Sequence, residues 1–534
     1  MADPIPDTRR RKVLFLSNSD RGEVGVTVAA AQAILESASL SSSADKTPVE
    51  VHIATFAGVE ELISKVSTEA LKANPAALPI VYHNIARVGT SEEEMNSLLK
   101  YLDIPCKPNY LPWSFLTKPS FRNTLRALRD TLLCLVPMPG PAMEKIVLQI
   151  LDIIAGVTPD LIVVNSVMTP GLTAAIHSGL PTCILSPNSI KEFAASLQPY
   201  GAVLWKYPAS WSGFSYPIPW YQRPINVLYV LWALKVFLTD PHRLAVERHL
   251  KSSSGITLRT PAELIKNRFG MQILVASLPE LDFPMTIPDH VHPCGPILGR
   301  WQPIQESDPE LYSWLSRAPT LYINLGSLAA TDEESALEMA GAIKLIMDRA
   351  QQEQEVGGVK GQKGLQVIWK LKKLGEYETK KPKCAMYDIL GPEIEADRVR
   401  IEKWFIPEPL SILQSGHVVC AVHHGGANSF NEAVISGLPH VVLPPWTDCY
   451  DYALRAELHG LGRWGSRKSN PQWAAHELAD AMSWCLFGET ARVCRQKTKA
   501  MAELVKSRGN GAAKAAEFIM GQVDANVNAA QGRT

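Results

Sequence analysis

The stretch AVHHGGANSFNE at residues 421–432 joins an apolar run to two histidines and two glycines. The glycines carry no side chain, so a ligand can approach the backbone closely at this turn. Asn428, Ser429 and Glu432 then open a helical pattern, and the free N–H groups and dipole of a helix N-terminus both favour anions. These residues therefore predict a phosphate-binding turn between a strand and a helix.

The composition is that of an ordinary globular protein and argues against several classes. The chain has 534 residues, too many for one hydrophobic core, so at least two large domains are expected. Lys+Arg and Asp+Glu both count 53, so no net charge recruits nucleic acid. The nine cysteines lack metal-ligand spacing, and the apolar run near the N-terminus is too short for a signal peptide. We therefore expect a cytoplasmic protein without a metal.

One apolar segment at residues 224–240, PINVLYVLWALKVFLTD, allows two interpretations. It contains Lys235, and no stretch of about 18 uninterrupted apolar residues occurs in the chain, so a membrane span is not predicted. A buried or cleft-lining helix fits the pattern, and so does a helix that lies on a membrane surface. Peripheral membrane contact is therefore left open.

Short apolar strands alternate with helical segments in both halves of the chain. The first half contains KVLFLSN, VEVHIATF, DLIVVNS and PTCILSP, and the second contains TLYINLGS, LQVIWKL, VRIEKWF, VVCAVHHGG and HVVLPPW. Strands that are apolar throughout indicate parallel sheets covered by helices on both faces. The pattern predicts an α/β fold of two doubly wound, Rossmann-like domains. Ligands of such sheets bind at the carboxyl ends of the strands, so we expect the site in a cleft between the domains.

Composition also suggests where the domains begin and end. We expect a first domain over 1–285, a Pro- and Gly-rich linker over 286–310 with the boundary near Gly295, a second domain over 311–490, a C-terminal helix over 491–520 and a disordered tail over 521–534. Whether the C-terminal helix packs back on the first domain is left open.

The stretch 404–454 resembles the donor-binding box of family-1 glycosyltransferases, the UDP-sugar-dependent enzymes of GT-B fold. The matching residues are Trp404, Pro407, His424, Gly426, Asn428, Ser429, Glu432, Gly437, Pro439, Pro444, Trp446 and Asp448. INLGS at 323–327, and LPELDFP followed by CGPIL, are also similar to this family, especially to its fungal members. The resemblance covers most of the chain. It implies a GT-B fold with a central cleft, a UDP-sugar as co-substrate, and no metal or other cofactor.

The resemblance implies a role for each residue of the donor site. Trp404 stacks on uracil, the backbone of Phe405 meets the uracil edge, and Glu432 accepts the ribose hydroxyls. The diphosphate is held by Ser327, His424, Gly426, Asn428 and Ser429, and the sugar by Trp446 and Asp448. Cys449 stands where glucose-binding members often have Gln, and a thiol cannot make the bidentate bonds of an amide. Glucose is kept as the default donor sugar.

The family's common catalytic pair is changed in this sequence. In the family a His after the first strand deprotonates the acceptor hydroxyl, and an Asp at the end of a later strand orients it. Glu23 and Asn165 stand at these positions. Glu23 is a base candidate if burial raises its pKa above the usual value of about 4.3, with Asn165 donating to its carboxylate. Asp20 is a rival base, and a role for Glu23 as a helix cap is equally compatible.

The resemblance thus implies an inverting hexosyltransferase that acts from a UDP-sugar. Segments 106–143 and 193–238 are rich in aromatic residues, Pro and Leu, which favours a hydrophobic acceptor. A phenolic, terpenoid, sterol or lipid hydroxyl, as in secondary metabolism, fits this lining, and a monomer is expected. The alternative is a catalytically silent UDP-sugar-binding protein, since a changed catalytic pair also fits a loss of chemistry.

Overall fold

A computed structural model of the chain describes residues 10–37, 48–87, 91–102, 104, 112–353, 355–360 and 364–531. These residues form two α/β units, each built around a parallel sheet. The α/β fold of two doubly wound domains is therefore confirmed.

The first sheet has seven parallel strands in the order β3-β2-β1-β4-β5-β6-β7. The strands are β1 (Lys12–Leu16), β2 (Glu50–Phe56), β3 (Val81–Ile85), β4 (Leu161–Asn165), β5 (Thr182–Ser186), β6 (Ile273–Val275) and β7 (Val291–Pro293). Val13 on the central strand pairs with Val51 on one side and Leu161 on the other, and all three side chains are buried. Burial on both faces explains why these strands are apolar throughout.

The second sheet has six parallel strands in the order β12-β11-β8-β13-β14-β15. The strands are β8 (Thr320–Asn324), β11 (Gln366–Lys370), β12 (Val399–Glu402), β13 (Val418–His423), β14 (His440–Val442) and β15 (Gly462–Trp464), and a separate antiparallel pair is formed by β9 (Glu355–Val356) and β10 (Val359–Lys360). The apolar pattern did not single out β3, β6, β7 and β15, which are either edge strands or only three residues long.

Helices cover both faces of the two sheets. Those of the first part are α1 (Arg21–Ser37), α2 (Glu60–Ala73), α3 (Ser91–Tyr101), α4 (Phe121–Asp130), α5 (Leu132–Leu135), α6 (Gly140–Val157), α7 (Thr169–Ser178), α8 (Ile190–Ala194), α9 (Ala202–Trp205), α10 (Arg223–Thr239), α11 (Pro241–Ser253) and α12 (Ala262–Lys266). Those of the second part are α13 (Ile304–Ser307), α14 (Pro309–Leu315), α15 (Glu333–Ala350), α16 (Ala385–Glu395), α17 (Pro409–Leu413), α18 (Ala427–Ile435), α19 (Cys449–Leu458), α20 (Ala475–Leu486), α21 (Gly488–Ser507) and α22 (Gly511–Gln531).

The predicted linker is partly wrong, because its first residues belong to the first sheet. Strand β7 lies inside 286–310 and pairs in parallel with β6. A Pro-rich sequence is tolerated here because an edge strand has one side that needs no ladder hydrogen bonds. The chain leaves the sheet at Gly295, whose φ of +89° suits glycine.

The predicted disordered tail is also wrong over most of its length, because α22 continues to Gln531. Its buried residues are Ala512, Ala515, Ala516, Ile519 and Val523, which share the core of the first sheet with α1. They recur every three or four residues, a helical spacing that the Ala- and Asn-rich composition conceals. The end of the chain thus returns to the first domain, and residues 532–534 lie outside the described part.

The two domains meet in an aromatic core that contains a buried ion pair. Phe283 of the first domain and Tyr452 of the second belong to one apolar cluster. Arg455 on α19 donates through Nε to Oδ1 of Asp282 at 2.9 Å, and both side chains are almost fully buried. Lys191 on α8 pairs with Asp451 on α19, where Nζ lies 2.6 Å from Oδ2. Helix α19 therefore carries two of the ionic links to the first domain.

The apolar segment at 224–240 forms α10, and α10 is not buried. Four of its leucines are about half exposed. The described residues include no single helix whose length and apolar composition suit a membrane crossing, although one bent pair, 121–135 with 140–157, does by these two criteria alone.

We predict that Asp282→Ala destabilises the protein strongly. The substitution leaves the Arg455 guanidinium buried without its counterion, which typically costs about 3–5 kcal/mol. Thermal or urea unfolding measures the loss. Glu378→Ala removes an exposed ion pair with Lys381 and should leave the midpoint unchanged. Equal midpoints for the two variants would show that the buried pair does not hold the domains together.

Candidate functional site

The carboxyl ends of the two sheets open into one cavity of about 1190 Å³. Its first-domain wall includes the turn between β1 and α1, and its second-domain wall includes the loops that follow β8, β11 and β13. This is the position expected for ligands of doubly wound sheets.

The cavity wall gathers most of the predicted site residues. Those that line it are Asp20, Glu23, Ser327, Trp404, Phe405, His424, Gly426, Asn428, Ser429, Glu432, Trp446 and Asp448. Asn165 and Cys449 do not line it. Cys449 is fully buried in the first turn of α19, so the structure does not support its place in the donor-sugar site.

Glu23 lies in the first turn of α1. Its carboxyl group accepts a hydrogen bond from the loop between β1 and α1. Nδ2 of Asn18 donates to Oε2 of Glu23 at 2.5 Å. The pKa of Glu23 is raised to about 8, chiefly by burial and then by the nearby carboxylates of Asp20 and Asp448, against the lowering effect of the Asn18 hydrogen bond. Glu23 is therefore a carboxyl group whose proton affinity suits general-base chemistry near neutral pH.

The predicted partner of this carboxyl group is corrected by the structure. Nδ2 of Asn165 donates at 3.3 Å to the main-chain oxygen of Glu23, not to its carboxylate. Asn18 takes the orienting role instead. Asn18 follows β1 by two residues. This position at the carboxyl end of a strand is the sequence signal that points to Asn18.

Both alternatives to Glu23 as a base stay open. Glu23 lies in the first turn of α1, where a carboxylate suits the helix dipole, although among the described residues no main-chain N–H donates to it. Asp20 also lines the cavity, and burial raises its pKa while Arg87 opposes the shift. Asp20 therefore remains a rival base on geometry.

The glycines around His424 make room for its imidazole ring. A Cβ on Gly426 would lie 2.4 Å from Nε2 of His424, and one on Gly326 would lie 2.6 Å from Cε1. Gly326 also has a φ of +85°. These two glycines thus seat the histidine, which in turn lines the cavity. That Gly425 and Gly426 clear space for a ligand stays a prediction, because a Cβ on Gly426 would meet the His424 ring and one on Gly425 would meet Val442.

Two buried polar atoms beside this ring lack a hydrogen-bond partner in the described part of the chain. They are Nδ1 of His424 and Oδ1 of Asn428. An unpaired buried polar atom typically costs about 1–3 kcal/mol, so a ligand that pairs with these atoms gains that energy. Helix α18 begins at the same place without a side-chain cap, which leaves its first N–H groups for an anion.

His424 is a neutral group near pH 7. Its pKa is lowered to about 4, chiefly by burial and also by the charge of Lys370. The neighbouring His423 is structural: its Nδ1 accepts from the N–H of Gly425 at 3.0 Å, so its Nε2 donates to Nδ1 of His440, also at 3.0 Å. The positive charge for a diphosphate must come from elsewhere.

Two lysines that the sequence patterns did not single out bring positive charge to this part of the cavity. Nζ of Lys370 donates to the main-chain oxygen of Gly326 at 3.2 Å, and Nζ of Lys372 to that of Ser327 at 3.1 Å. Both lysines line the cavity. Burial lowers the pKa of Lys370 to about 8, aided by the charge of Arg21. The position of Lys370 at the carboxyl end of β11 is the sequence signal for it.

Trp404 is half exposed in the cavity and lies beneath cations from both domains. Nζ of Lys370 is 3.8 Å from its ring centroid, and the guanidinium of Arg21 on α1 is 5.1 Å away. Such cation–π contacts hold the ring in place. A nucleobase that stacks on Trp404 would therefore lie next to both cations.

Glu192 is a further carboxyl group that the sequence analysis did not select. It lines the cavity, and Nδ2 of Asn188 donates to its Oε2 at 2.7 Å. Its pKa is raised to about 8, chiefly by burial and then by the charge of Asp448. Both residues follow β5, again at the carboxyl end of a strand. Among the described residues no group of His, Cys, Asp and Glu side chains is arranged to hold a metal ion.

No protein-family model matches the chain. Over 468 residues, 86% of this chain and 84% of the relative, it is 32% identical to glycosyltransferase sdnJ of Sordaria araneosa. It is 26% identical over 250 residues, 44% of this chain and 42% of the relative, to UDP-glycosyltransferase stmC of Aspergillus ustus. A solved UDP-glucosyltransferase from Polygonum tinctorium, capable of glucosylating indoxyl, matches its fold with a TM-score of 0.58 at 15% identity, over 97% of this chain and 99% of that chain.

We predict that Gly326→Ala weakens UDP binding by about tenfold or more, because the added methyl displaces the His424 ring that carries the unpaired Nδ1. Calorimetric titration with UDP measures the effect. Gly156→Ala is the matched control, since a Cβ there meets no atom within 4 Å. Unchanged affinity in Gly326→Ala would mean that His424 does not contact the nucleotide.

We further predict that UDP affinity falls as the pH rises above about 8, because the Lys370 ammonium loses its charge there. Lys370→Met should bind UDP more weakly and lose this pH dependence. Lys373→Met is the control, since Lys373 is exposed and does not line the cavity. The same pH dependence in wild type and Lys370→Met would assign it to another group.

Proposed function

Because this chain belongs to the UDP-glycosyltransferases, enzymes that move a sugar from a UDP-sugar to an acceptor, we propose that Glu23 is its catalytic base and that the acceptor is a hydrophobic alcohol or phenol. One observation carries the proposal. A carboxyl group with a raised pKa shares a cavity with a nucleotide-binding loop, and the charge of Asp448 acts on it across that cavity.

The donor is proposed to lie along the second-domain wall. Uracil stacks on Trp404 with the backbone of Phe405 at its edge, and Glu432 takes the ribose hydroxyls. The diphosphate lies at the start of α18, against Asn428 and Ser429, with Ser327 and neutral His424 as further hydrogen-bonding groups. Lys370 and Lys372 neutralise its charge. The transferred hexose lies toward Trp446 and Asp448, and glucose is its proposed identity.

The proposed reaction is a single displacement. The ionised Glu23 carboxylate accepts the proton of the acceptor hydroxyl as its oxygen bonds to the anomeric carbon. The bond from that carbon to the β-phosphate oxygen breaks, and UDP leaves with the electron pair. The lysines, the start of α18 and His424 stabilise the developing charge on UDP. Attack from the side opposite UDP inverts the anomeric centre.

The acceptor is proposed to occupy the first-domain end of the cavity. Apolar side chains that line this end include Phe56, Leu62, Phe115, Leu133 and Met138. Such a wall suits a flat or extended hydrophobic molecule with one hydroxyl directed at Glu23. A phenolic, terpenoid, sterol or lipid fits, of the kind found in secondary metabolism.

We also propose that the protein acts as a monomer in the cytoplasm and needs no metal or other cofactor. The eight cysteines within the described residues all carry free thiols, which supports a reducing compartment. The lysines beside the diphosphate site support charge neutralisation by the protein itself.

The test is transfer from UDP-glucose, and from other UDP-hexoses, to a panel of apolar phenols and alcohols, with products read by mass spectrometry. Glu23→Gln should lower kcat by about 10²–10⁴-fold, because the amide cannot accept the proton. UDP affinity should stay unchanged. The wild-type kcat should rise with pH through about 8, since Glu23 is a base only when ionised.

Two variants separate Glu23 from its rivals. Asp20→Asn and Glu192→Gln remove two other carboxyl groups of the cavity wall and should keep most of the activity. Full activity in Glu23→Gln, together with its loss in one of these variants, would move the base to that residue. UDP-sugar binding without transfer to any acceptor, and without donor hydrolysis, would favour a catalytically silent binder.

A further inference from the structure

Helix α10 presents an apolar face on the outside of the first domain. Leu228, Leu231, Leu234 and Leu238 are 53, 49, 54 and 58% exposed. Their spacing of three or four residues places them on one side of the helix, and we call them the leucine face. A surface helix ordinarily carries polar residues on its outer side. Lys235 is the exposed charged residue between these leucines.

Two aromatic side chains extend this surface at the start of α10. Trp220 and Tyr221, in the 3-10 helix Trp220–Gln222 that leads into α10, are 78 and 61% exposed. Exposed Trp and Tyr next to an apolar helix face are typical of the interface between lipid and water, where one part of the ring is apolar and another is wet. Exposed Trp and Tyr side chains do not stabilise a surface that contacts only water.

The charged residues near the leucine face are mostly basic. Segments 113–129 and 193–239 together contain seven Lys and Arg residues and no Asp or Glu, although Asp130, Glu192 and Asp240 directly flank them. Helix α4 lies along α10, where Nε1 of Trp232 donates to the main-chain oxygen of Leu125 at 2.9 Å. Arg122 and Arg126 on α4 are exposed. An apolar face beside a mostly basic surface complements an anionic, apolar partner.

We propose that the leucine face docks on the surface of an anionic lipid bilayer. An interfacial helix buries its apolar side at the boundary of headgroups and acyl chains, while nearby Lys and Arg attract anionic lipids. A second copy of the chain is a poorer occupant, because it would bring two basic surfaces together. The end of α4 and the residue after it, Asp130 and Thr131, line the cavity. Docking would thus bring the proposed acceptor end of the cavity close to the lipid.

The test is co-flotation of the full chain with vesicles. Wild type is mixed with vesicles of phosphatidylcholine alone and with vesicles that also contain phosphatidylserine, at low and high salt. We expect binding to the anionic vesicles that weakens with salt. The variant with Leu231→Gln, Leu234→Gln and Leu238→Gln should lower the bound fraction by about tenfold or more.

Controls separate docking from misfolding. Leu345→Gln changes a leucine that is 38% exposed on α15 in the second domain, and it should bind vesicles as wild type does. Arg122→Gln with Arg126→Gln should reduce the preference for anionic vesicles. All variants should keep the unfolding midpoint and the UDP affinity of wild type, since none of these residues lines the cavity. Wild type that stays with the soluble fraction for every vesicle would overturn the proposal. A dimer dispersed by the leucine substitutions, without vesicle binding, would assign the face to a second copy.

Discussion

The buried ion pair between Arg455 and Asp282 fixes how the two sheets face one another. Its energy comes from pairing in a place where either charge alone is costly, so it specifies one relative orientation of the domains. Arg455 lies on α19, which begins directly after Asp448 in the cavity wall. In the first domain, Lys191 in the interface directly precedes Glu192 in the cavity wall. The residues that join the domains are thus continuous in sequence with those that form the site.

The electrostatics of the cavity follow from this orientation. Carboxyl groups from the first domain face Asp448 from the second, and their mutual repulsion adds to burial in raising the pKa of Glu23 and Glu192. Cations lie at Trp404, where Lys370 and Arg21 contact the ring. A carboxyl group with a raised pKa and a cationic surface in one cavity support the proposed transfer from a nucleoside diphosphate sugar.

Local sequence patterns predicted much of this arrangement, and their errors have physical causes. The apolar strands and the glycine-bearing turn before α18 are found as expected, because their periodicity and turn chemistry are properties of short segments. Asn165 was assigned to the wrong oxygen of Glu23, since sequence position does not distinguish a main-chain carbonyl from a carboxylate. Cys449 matched a ligand position by alignment but turns into the core.

The sequence by itself determined the two parallel sheets, the glycine-bearing turn before α18 and the family of the enzyme, because each is encoded in contiguous residues. Tertiary structure decided which carboxylates converge, which lysines flank the proposed diphosphate site and where α22 packs, because these contacts join residues far apart in the chain. It also decided the pKa of Glu23, since burial and the charge of Asp448 arise only when the domains meet. Periodicity alone left open whether α10 is buried, and no element in the described part of the chain covers its leucines, which are about half exposed.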